Sequence, residues 1–301
     1  MTQPRRILPN STYMATRRTT QQQFWLRPDA TTNNDTIYCI AVAALRHQIQ
    51  VIDFNVLSNH LHQVFRASLA NAPEYLRDVH GLIAKVMNAR LGRWENLWSS
   101  AKPSLVELAN EEDLIDKIVY VASNAVRHGL VERIEEWPGA RGFHALLSGK
   151  PLKATKPKSF FSSKNKKLPD KVKLHLRIPP ELGDHKTIMK AVIPRVSAAV
   201  RYFGHQRELT GIPVLGRARI LRQPRAAAPS TPPERRGLNP RIGAKELETR
   251  LAAIQTKREF QKEYRLALLA YRAGAPISFP VGTYWLARHL GVGVKPIEKL
   301  S

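Results

Sequence analysis

Two histidines separated by one residue, His60 and His62, are the first candidates for chemistry in this chain of 301 residues. The segment His60–Arg66 is predicted to be a β-strand, and residues two apart on a strand point to the same face. The two imidazoles would therefore converge, which is a geometry suited to a divalent metal ion. The pair alone is weak evidence for a metal site, because chance and ordinary packing often produce it, and two ligands need a third from elsewhere in the chain.

A tyrosine and an asparagine on a predicted helix are the second candidates. The helix is expected to begin at Asn110 and to stop at Gly129, a residue type that commonly ends helices. With 100° per residue, Tyr120 lies opposite the middle of the apolar arc, and Asn124 lies one turn further along the same face. The phenol and the amide oxygen can then point into the same space, although an exposed surface tyrosine would show the same pattern.

The elements that must position these residues are predicted from hydrophobic periodicity. They are a strand at Thr12–Thr19, a helix at Asp35–Gln48, a strand at Val51–Leu57, a turn at Ser58 and Asn59, the strand His60–Arg66 and a helix at Ala72–Leu91. The order is strand, helix, strand, strand, helix and then more helix. This order predicts an α+β fold in which one sheet carries helices on one face.

The charge of the chain is strongly positive and unevenly distributed. The formal net charge is +24; residues 1–150 hold 17 Lys and Arg against 14 Asp and Glu, and residues 151–301 hold 31 against 10. A half-chain with such an excess of positive charge favours a polyanionic partner, and nucleic acid is the usual one. The alternative is a solvated basic tail without a specific partner.

Composition divides the chain into three predicted regions. Residues 1–147 form a region of balanced charge, 148–180 a basic linker, and 181–301 a basic, mainly helical accessory region that is expected to bind DNA. The linker contains Lys150, Lys153, Lys156, Lys158, Lys164, Lys166 and Lys167. A second linker is predicted at Ala226–Pro233, because its prolines prevent regular helix.

The accessory region contains two predicted helices and a cluster of arginines. One helix spans Asp184–Phe203 and is expected to bend or break at Pro194; the other spans Ala244–Arg272. The second helix carries an apolar stripe of Leu247, Leu251 and Ile254, which is expected to be buried. The arginines of the connection are Arg217, Arg219, Arg222, Arg225, Arg235, Arg236 and Arg241. Aromatic residues between basic ones suit stacking on single-stranded bases.

Two motifs of the first region resemble a known family. Leu57–Arg66 (LSNHLHQVFR), taken with Tyr120–Val131 (YVASNAVRHGLV), resembles the single-tyrosine HUH transposases, in particular the REP-associated tyrosine transposases of bacteria. Arg5–Arg18 and Gly92–Ser99 resemble the opening strand and the middle segment of that family. The likeness covers residues 1–147, and the two motifs are specific because they occur in the expected order and at the expected separation.

The resemblance implies a fold, a site and a reaction. The fold is a ferredoxin-like antiparallel sheet with helices on one face, which is the HUH endonuclease core. His60, His62 and Asn124 are implied to bind a divalent metal ion, Mg²⁺ or Mn²⁺, and Tyr120 is implied to be the nucleophile. The reaction nicks and rejoins single-stranded or hairpin DNA through a covalent 5′-phosphotyrosine and a free 3′-hydroxyl.

Three arginines are predicted to bind the nucleic acid. Arg17 and Arg18 lie on the first strand and Arg127 follows the tyrosine by two helical turns, so all three could meet phosphate, although the first two could equally form a solvated face. The sequence departs from the family at Ser58 and Ala125, where the family usually has proline, and at His128, where it has a small residue. None of these departures changes a proposed ligand or the nucleophile.

Several other classes of protein are disfavoured by the sequence. The single cysteine, Cys39, excludes an internal disulfide and a multi-cysteine zinc site. No apolar run is long enough to span a bilayer, and Met1–Asn10 lacks the apolar stretch of a secretory signal, so we expect a cytoplasmic, nucleoid-associated protein without a membrane partner. The oligomeric state, monomer or homodimer, stays open. Two other functions also stay open: a domesticated DNA-binding protein with an idle site, and an HUH nickase of replication or plasmid transfer.

Overall fold

Two sheets and the helices packed on them make up the described part of the chain. The structure is a computed structural model that describes residues 4–162, 164, 167–230 and 241–296. Its strands are β1 (Ser11–Arg18), β2 (Ile49–Leu57), β3 (His60–Ala67), β4 (Ser104–Leu108), β5 (Leu152–Thr155), β6 (Lys171–Leu174) and β7 (Ile242–Gly243). Its α-helices are α1 (Ala30–His47), α2 (Ala72–Leu91), α3 (Glu111–Arg127), α4 (Phe143–Ser148), α5 (His185–Thr210), α6 (Arg217–Arg222), α7 (Leu247–Arg272) and α8 (Trp285–Leu290).

The main sheet has the strand order β2-β3-β1-β4-β7. Its first four strands are antiparallel and follow the chain order βαββαβ, which is the ferredoxin-like arrangement, while β7 adds in parallel to the free edge of β4. The predicted α+β class is confirmed. Hydrophobic periodicity did not predict strands β4 and β7, because each is short and lies at or near the sheet edge.

Helices cover both faces of this sheet. On β3, the ring of Phe65 lies 5.0 Å from that of Tyr75 on α2, whereas the ring of His62 lies 5.4 Å from that of Tyr120 on α3. Positions 62 and 65 have opposite parity, so they point to opposite faces of the strand. Helices α1 and α2 therefore lie on one face, as expected, and α3 lies on the other face together with the paired histidines.

The predicted elements of the first region agree closely with the observed ones. Helix α2 has the predicted bounds, with a proline in its first turn and the left-handed Gly92 (φ 62°) at its end. Helix α1 begins five residues before the prediction, because the side chain of Asp29 accepts a hydrogen bond from the backbone N–H of Thr32 at 2.6 Å. The predicted turn at Ser58 and Asn59 joins β2 to β3.

The segment predicted as a basic linker contains a β-hairpin. Strands β5 and β6 are antiparallel to each other, and Ala154 and Val172 are buried within the main core. The phenol of Tyr38 on α1 donates a hydrogen bond to the carbonyl of Pro169 at 2.8 Å, which fixes the hairpin connection on this helix. The boundaries drawn at 147 and 180 stay a prediction about domains.

Helix α5 packs alongside α3 and is not broken at Pro194. Its buried residues Ile188, Met189, Val192 and Val196 belong to the same core as the sheet. Arg195 contributes an ion pair of 2.6 Å with Glu112 at the start of α3. The C-terminal half therefore supplies part of the hydrophobic cover of the helix that carries Tyr120.

Helix α7 is observed close to its predicted bounds, but its apolar stripe is not buried. Leu247 and Leu251 are 61% and 55% exposed, so the expectation that this stripe is covered is wrong for these two residues within the described chain. The small cluster around Phe279 instead packs on Tyr264 and Tyr271, further along the helix. None of the helices in the described ranges is both long and apolar enough to cross a membrane.

Parts of several sequence predictions lie outside the described residues. These parts are Met1 to Gln3 of the N-terminal segment, residues 163, 165 and 166 of the basic linker, and residues 231–240 and 297–301 of the accessory region, which include the end of the second linker, Arg235 and Arg236. The described start of that second linker is well anchored, since the carbonyls of Ala226 and Ala227 accept hydrogen bonds of 2.9 Å from Gln23 and Phe24.

The packing of α5 predicts a large stability effect at one residue. Ile188 is fully buried, so Ile188→Ala should lower the free energy of unfolding by about 2–5 kcal/mol. Ile193 lies on the same helix but is 41% exposed, and Ile193→Ala should change it by about 0.5 kcal/mol or less. Urea denaturation of both variants measures the difference. Equal, small effects would show that α5 does not stabilise the core.

Candidate metal and tyrosine site

The paired histidines lie at the start of β3 and face α3. Their rings are 4.6 Å apart between centroids and nearly perpendicular, at 82°. His62 is buried, with 3% of its surface exposed, and His60 is half-buried. The strand alternation that suggested a common face is thus realised, and both imidazoles point into the layer between the sheet and α3.

Each imidazole is oriented by a hydrogen bond at Nδ1. His60 Nδ1 donates to Oδ1 of Asn59 at 2.7 Å, which leaves its Nε2 with a free lone pair. His62 Nδ1 lies 2.7 Å from Oγ1 of Thr16, which faces it across the β1–β3 pair. Such bonds to the second nitrogen fix the ring orientation of metal-binding histidines. The Nε2 atom of each ring therefore points away from the side chain that binds its Nδ1 atom.

The electrostatics of the pair favour neutral imidazoles. Burial, and then the positive charges of His128 and Arg18, lower the pKa of His60 to about 3, with a small opposing effect of the Asn124 side chain. Burial, followed by the neighbouring His60, His128 and Arg18, holds the pKa of His62 well below its ordinary value. Neutral imidazole is the form that donates a lone pair to a metal ion.

Helix α3 brings the tyrosine and the asparagine to the same place. Its N-terminus is capped by Asn110, whose side chain accepts from the N–H of Asp113 at 2.9 Å. Further along, the side-chain amide of Asn55 on β2 donates to the carbonyl of Val121 at 3.1 Å and ties the helix to the sheet. The half-buried Tyr120 then packs its ring edge-on against His62, and Asn124 is completely buried.

Unpaired polar atoms mark the space between these side chains. Nε2 of His62 and both amide atoms of Asn124 are buried and have no hydrogen-bond partner of normal geometry among the described residues, although Asn124 lies close enough to His60 to affect its pKa. Buried polar atoms are almost always paired, so each of these needs an explanation. Two imidazole nitrogens and an amide oxygen would satisfy a divalent ion, and the residues present fit that group. No group of three or more His, Cys, Asp or Glu side chains in the described ranges could hold a metal, so the third protein ligand would be an amide.

The predicted DNA-binding arginines are placed differently from one another. Arg18 faces the same side as His60, with which it pairs across the strands, and it is exposed. The guanidinium of Arg127 lies 5.4 Å from the centre of the Tyr120 ring. Arg17 points to the opposite face, where it donates to the carbonyls of Ser99 and Ala101 at 2.8 and 2.5 Å. The structure therefore brings Arg127 to the tyrosine and Arg18 to the histidine pair, and it leaves Arg17 on the other face of the sheet.

Comparisons with known proteins were positive for structures only. No protein-family model matches the sequence, and no curated protein matches it. The chain is similar to a solved REP-associated tyrosine transposase bound to a REP hairpin, with 18% sequence identity and a TM-score of 0.42, covering 49% of this chain and 86% of that one. It is also similar to a candidate transposase from Deinococcus radiodurans R1, with 14% identity and a TM-score of 0.28, covering 35% of this chain and 85% of that one.

Residues outside the two motifs also shape this site. The ring of Phe203 on α5 lies 5.3 Å from the guanidinium of Arg127, and Arg207 donates to the carbonyl of Val126 at 2.9 Å. The ring of His128 lies 6.4 Å from that of His60. His128 was visible as an unusual residue in the motif, but nothing in the sequence around Phe203 or Arg207 indicates that α5 lies against the end of α3.

Thr16 provides a test of the orienting bond to His62. Thr16→Val keeps the shape of the side chain and removes the hydroxyl, so His62 loses the partner of Nδ1. We expect Mn²⁺ affinity, measured by calorimetry, to fall by roughly 10–100-fold. Thr12→Val, on the same face of β1 but opposite Arg66, is the matched control and should leave Mn²⁺ affinity unchanged. Equal Mn²⁺ affinity in both variants would contradict the role of Thr16.

Proposed function

We propose that this protein is a DNA strand transferase of the single-tyrosine HUH type. His60, His62 and Asn124 would hold Mg²⁺ or Mn²⁺, and Tyr120 would attack the DNA. The observation that carries the proposal is the convergence of these side chains from two different elements. The edge-on contact of Tyr120 with His62 at 5.4 Å lies beside buried, unpaired nitrogen and oxygen atoms.

The residue types suit attack on a phosphodiester. A bound divalent ion would offset the negative charge of the phosphate oxygens and make phosphorus easier to attack. The phenol of Tyr120 loses its proton, its oxygen forms a bond to phosphorus, and the bond between phosphorus and the 3′ oxygen breaks. The 3′ oxygen takes up a proton and leaves as a hydroxyl. No water is consumed, so the phosphotyrosine can later react with another 3′-hydroxyl and rejoin the strand.

The charges around the site support a nucleic-acid substrate. Arg18 places positive charge beside the histidines and Arg127 places it beside Tyr120, and the chain as a whole carries +24. Neutral protein ligands leave the charge of the ion to act on the phosphate. The resemblance of the two motifs favours single-stranded or hairpin DNA as the substrate. A cytoplasmic protein associated with the nucleoid would meet such DNA.

A cleavage assay with labelled hairpin DNA tests this function. The 5′-labelled and 3′-labelled forms of one hairpin with single-stranded flanks are incubated with Mn²⁺ and analysed on denaturing gels with and without protease. We expect the fragment downstream of the nick to migrate with the protein until protease is added, and we expect chelator to abolish the reaction. Binding without any cleavage would instead support an idle DNA-binding protein. Cleavage that leaves no covalent adduct would rule out the tyrosine chemistry.

A further inference from the structure

A cavity of about 250 Å³ lies on the face of the sheet opposite to the tyrosine site. Tyr13 of β1 and Leu105 and Glu107 of β4 border it from the sheet, and Ala253 and Lys257 of α7 border it from outside. Tyr13 points toward Phe65, at 5.8 Å between rings, and so to the side of the sheet that carries α2. The cavity is therefore separate from His60 and His62, and α7 forms its outer wall over the edge of the sheet.

The charged side chains of this cavity are mostly basic. Arg5, Arg6, Arg241 and Lys257 line it, against one carboxylate, Glu107. Within the described ranges, no carboxylate lies within salt-bridge distance of Arg5, Arg241 or Lys257. Burial, and then the charge of Arg241, lowers the pKa of both Arg5 and Lys257, while burial raises the pKa of Glu107. The cavity thus holds an excess of partly desolvated positive charge.

A hydrogen bond holds the backbone of Arg241 in place, but no described residue uses one N–H donor of its guanidinium. Its backbone carbonyl accepts a hydrogen bond from the N–H of Glu107 at 2.9 Å, where β7 joins β4. Its Nη1 atom is nevertheless buried and has no hydrogen-bond partner among the described residues. Arg5 is anchored separately, since its Nη2 donates to the carbonyl of Pro103 at 2.9 Å. A buried guanidinium donor that no described residue satisfies is available to an anionic group.

Apolar side chains form the rest of the wall. Ile7, Leu105, Leu108, Ile242 and Ala253 line the cavity beside the basic groups. Its volume is below the roughly 300–1,000 Å³ of pockets for drug-sized ligands, so it suits a single compact unit rather than an extended strand. A phosphate alone would use the charges and leave this apolar wall unused. A nucleoside monophosphate would use both, with its phosphate on the arginines and its base on the apolar wall.

We propose that this cavity binds one unpaired nucleotide, with Arg241 and Lys257 on the phosphate and the apolar wall against the base. The identification of the nucleotide with a unit of the DNA substrate rests on the proposed function. The same chemistry would also accept a free nucleoside monophosphate. Because α7 and β7 form the outer wall, the C-terminal half would then contribute a defined binding site in addition to its net charge.

A single thiol in the cavity reports its occupancy without any need for catalysis. Ala253→Cys places that thiol in the wall, and the natural Cys39 is buried and should not react. The rate of maleimide labelling is measured alone and with dAMP, with inorganic phosphate, with blunt hairpin DNA, and with the same hairpin carrying a short single-stranded tail. We expect dAMP to slow labelling strongly and phosphate to slow it much less at the same concentration.

Charge variants in the Ala253→Cys background identify the groups that bind. Adding Arg241→Gln or Lys257→Gln should weaken protection by dAMP by roughly tenfold or more, because each removes a charged donor to the phosphate. Lys262→Gln removes the same charge from an exposed position of α7 outside the cavity and should leave protection unchanged. Circular dichroism checks that each variant is folded, and the two charge variants serve as independent tests.

The outcomes separate the sources of the nucleotide. Protection by tailed but not blunt hairpin would support a DNA unit, and protection by dAMP without protection by tailed DNA would support a free nucleotide. Equal protection by phosphate and dAMP, or no protection by any of the probes, would overturn the proposal. If dAMP protects the thiol in a protein that fails to cleave DNA, the proposed function is contradicted, but the assignment of the cavity as a nucleotide site is still supported.

Discussion

Tyr120→Phe is expected to abolish both DNA cleavage and the covalent protein–DNA adduct. The substitution removes only the phenol oxygen, while the ring that packs at 5.4 Å from His62 remains. Without that oxygen no bond to phosphorus can form, so the cleavage rate should fall by roughly a thousandfold or more. DNA affinity should stay within about twofold, because the basic groups are untouched. Single-turnover cleavage and fluorescence anisotropy on the same hairpin measure the two quantities.

Tyr202→Phe is the matched control for this prediction. Tyr202 is 59% exposed on α5, and its neighbour Phe203 contacts Arg127 at the site, so both tyrosines lie in the same part of the molecule. We expect this variant to cleave DNA at the wild-type rate. A denaturant-resistant adduct in Tyr120→Phe would show that another side chain is the nucleophile, and peptide mapping of that adduct would identify it.

Local periodicity was sufficient to predict the strand and the helix that carry the site. The alternation around His60 and His62 and the apolar arc of α3 are both strong, because these elements pack on the core over their whole length. The same reasoning placed Tyr120 and Asn124 on one face of the helix. That these residues meet the histidines was inferred from a family resemblance, since spacing along the chain says nothing about which face of the sheet a helix covers.

The surroundings of the site could not be predicted from local patterns. Asn124 was placed on the polar face of its helix, opposite the apolar arc, but it is completely buried because α3 lies between the sheet and α5. The contacts of Thr16 with His62 and of Arg207 with Val126 span 46 and 81 residues of sequence. Such pairs depend on strand register and helix docking, which only the three-dimensional arrangement fixes.

For the apolar stripe of α7, the sequence predicted burial that the structure does not show. Leu247 and Leu251 have the spacing of a buried face, yet the described chain leaves both largely exposed. Apolar residues are common on protein surfaces, so helical spacing alone does not require burial. On the same helix, Ala253 and Lys257 line the cavity beside β4, and neither residue forms part of that stripe. The functional hypothesis for α7 therefore came from the charges around a cavity rather than from its amphipathic pattern.

His62→Ala is expected to remove metal binding and cleavage together. His62 is the more deeply buried histidine of the pair, and its Nε2 atom has no hydrogen-bond partner in the described part of the chain. One imidazole and one amide would remain as ligands. Removal of an orienting partner alone lowers metal affinity by roughly 10–100-fold, so removal of a ligand should lower it further. We expect Mn²⁺ to raise the melting temperature of the wild type and not that of the variant, because a ligand stabilises only the state that it binds. Cleavage should stay absent even at high Mn²⁺.

His144→Ala distinguishes this effect from a general loss of imidazole. His144 lies on α4 with 46% of its side chain exposed and contacts Glu135 at 3.8 Å, so its removal should alter neither the metal-induced shift nor cleavage. Since alanine leaves a small void at position 62, His62→Leu provides a second variant that fills the space with a side chain unable to bind a metal ion. If either variant at position 62 keeps the full Mn²⁺-induced shift and cleaves DNA in the presence of Mn²⁺, the ion is held elsewhere. In that case the buried, unpaired atoms of His62 and Asn124 require a different explanation.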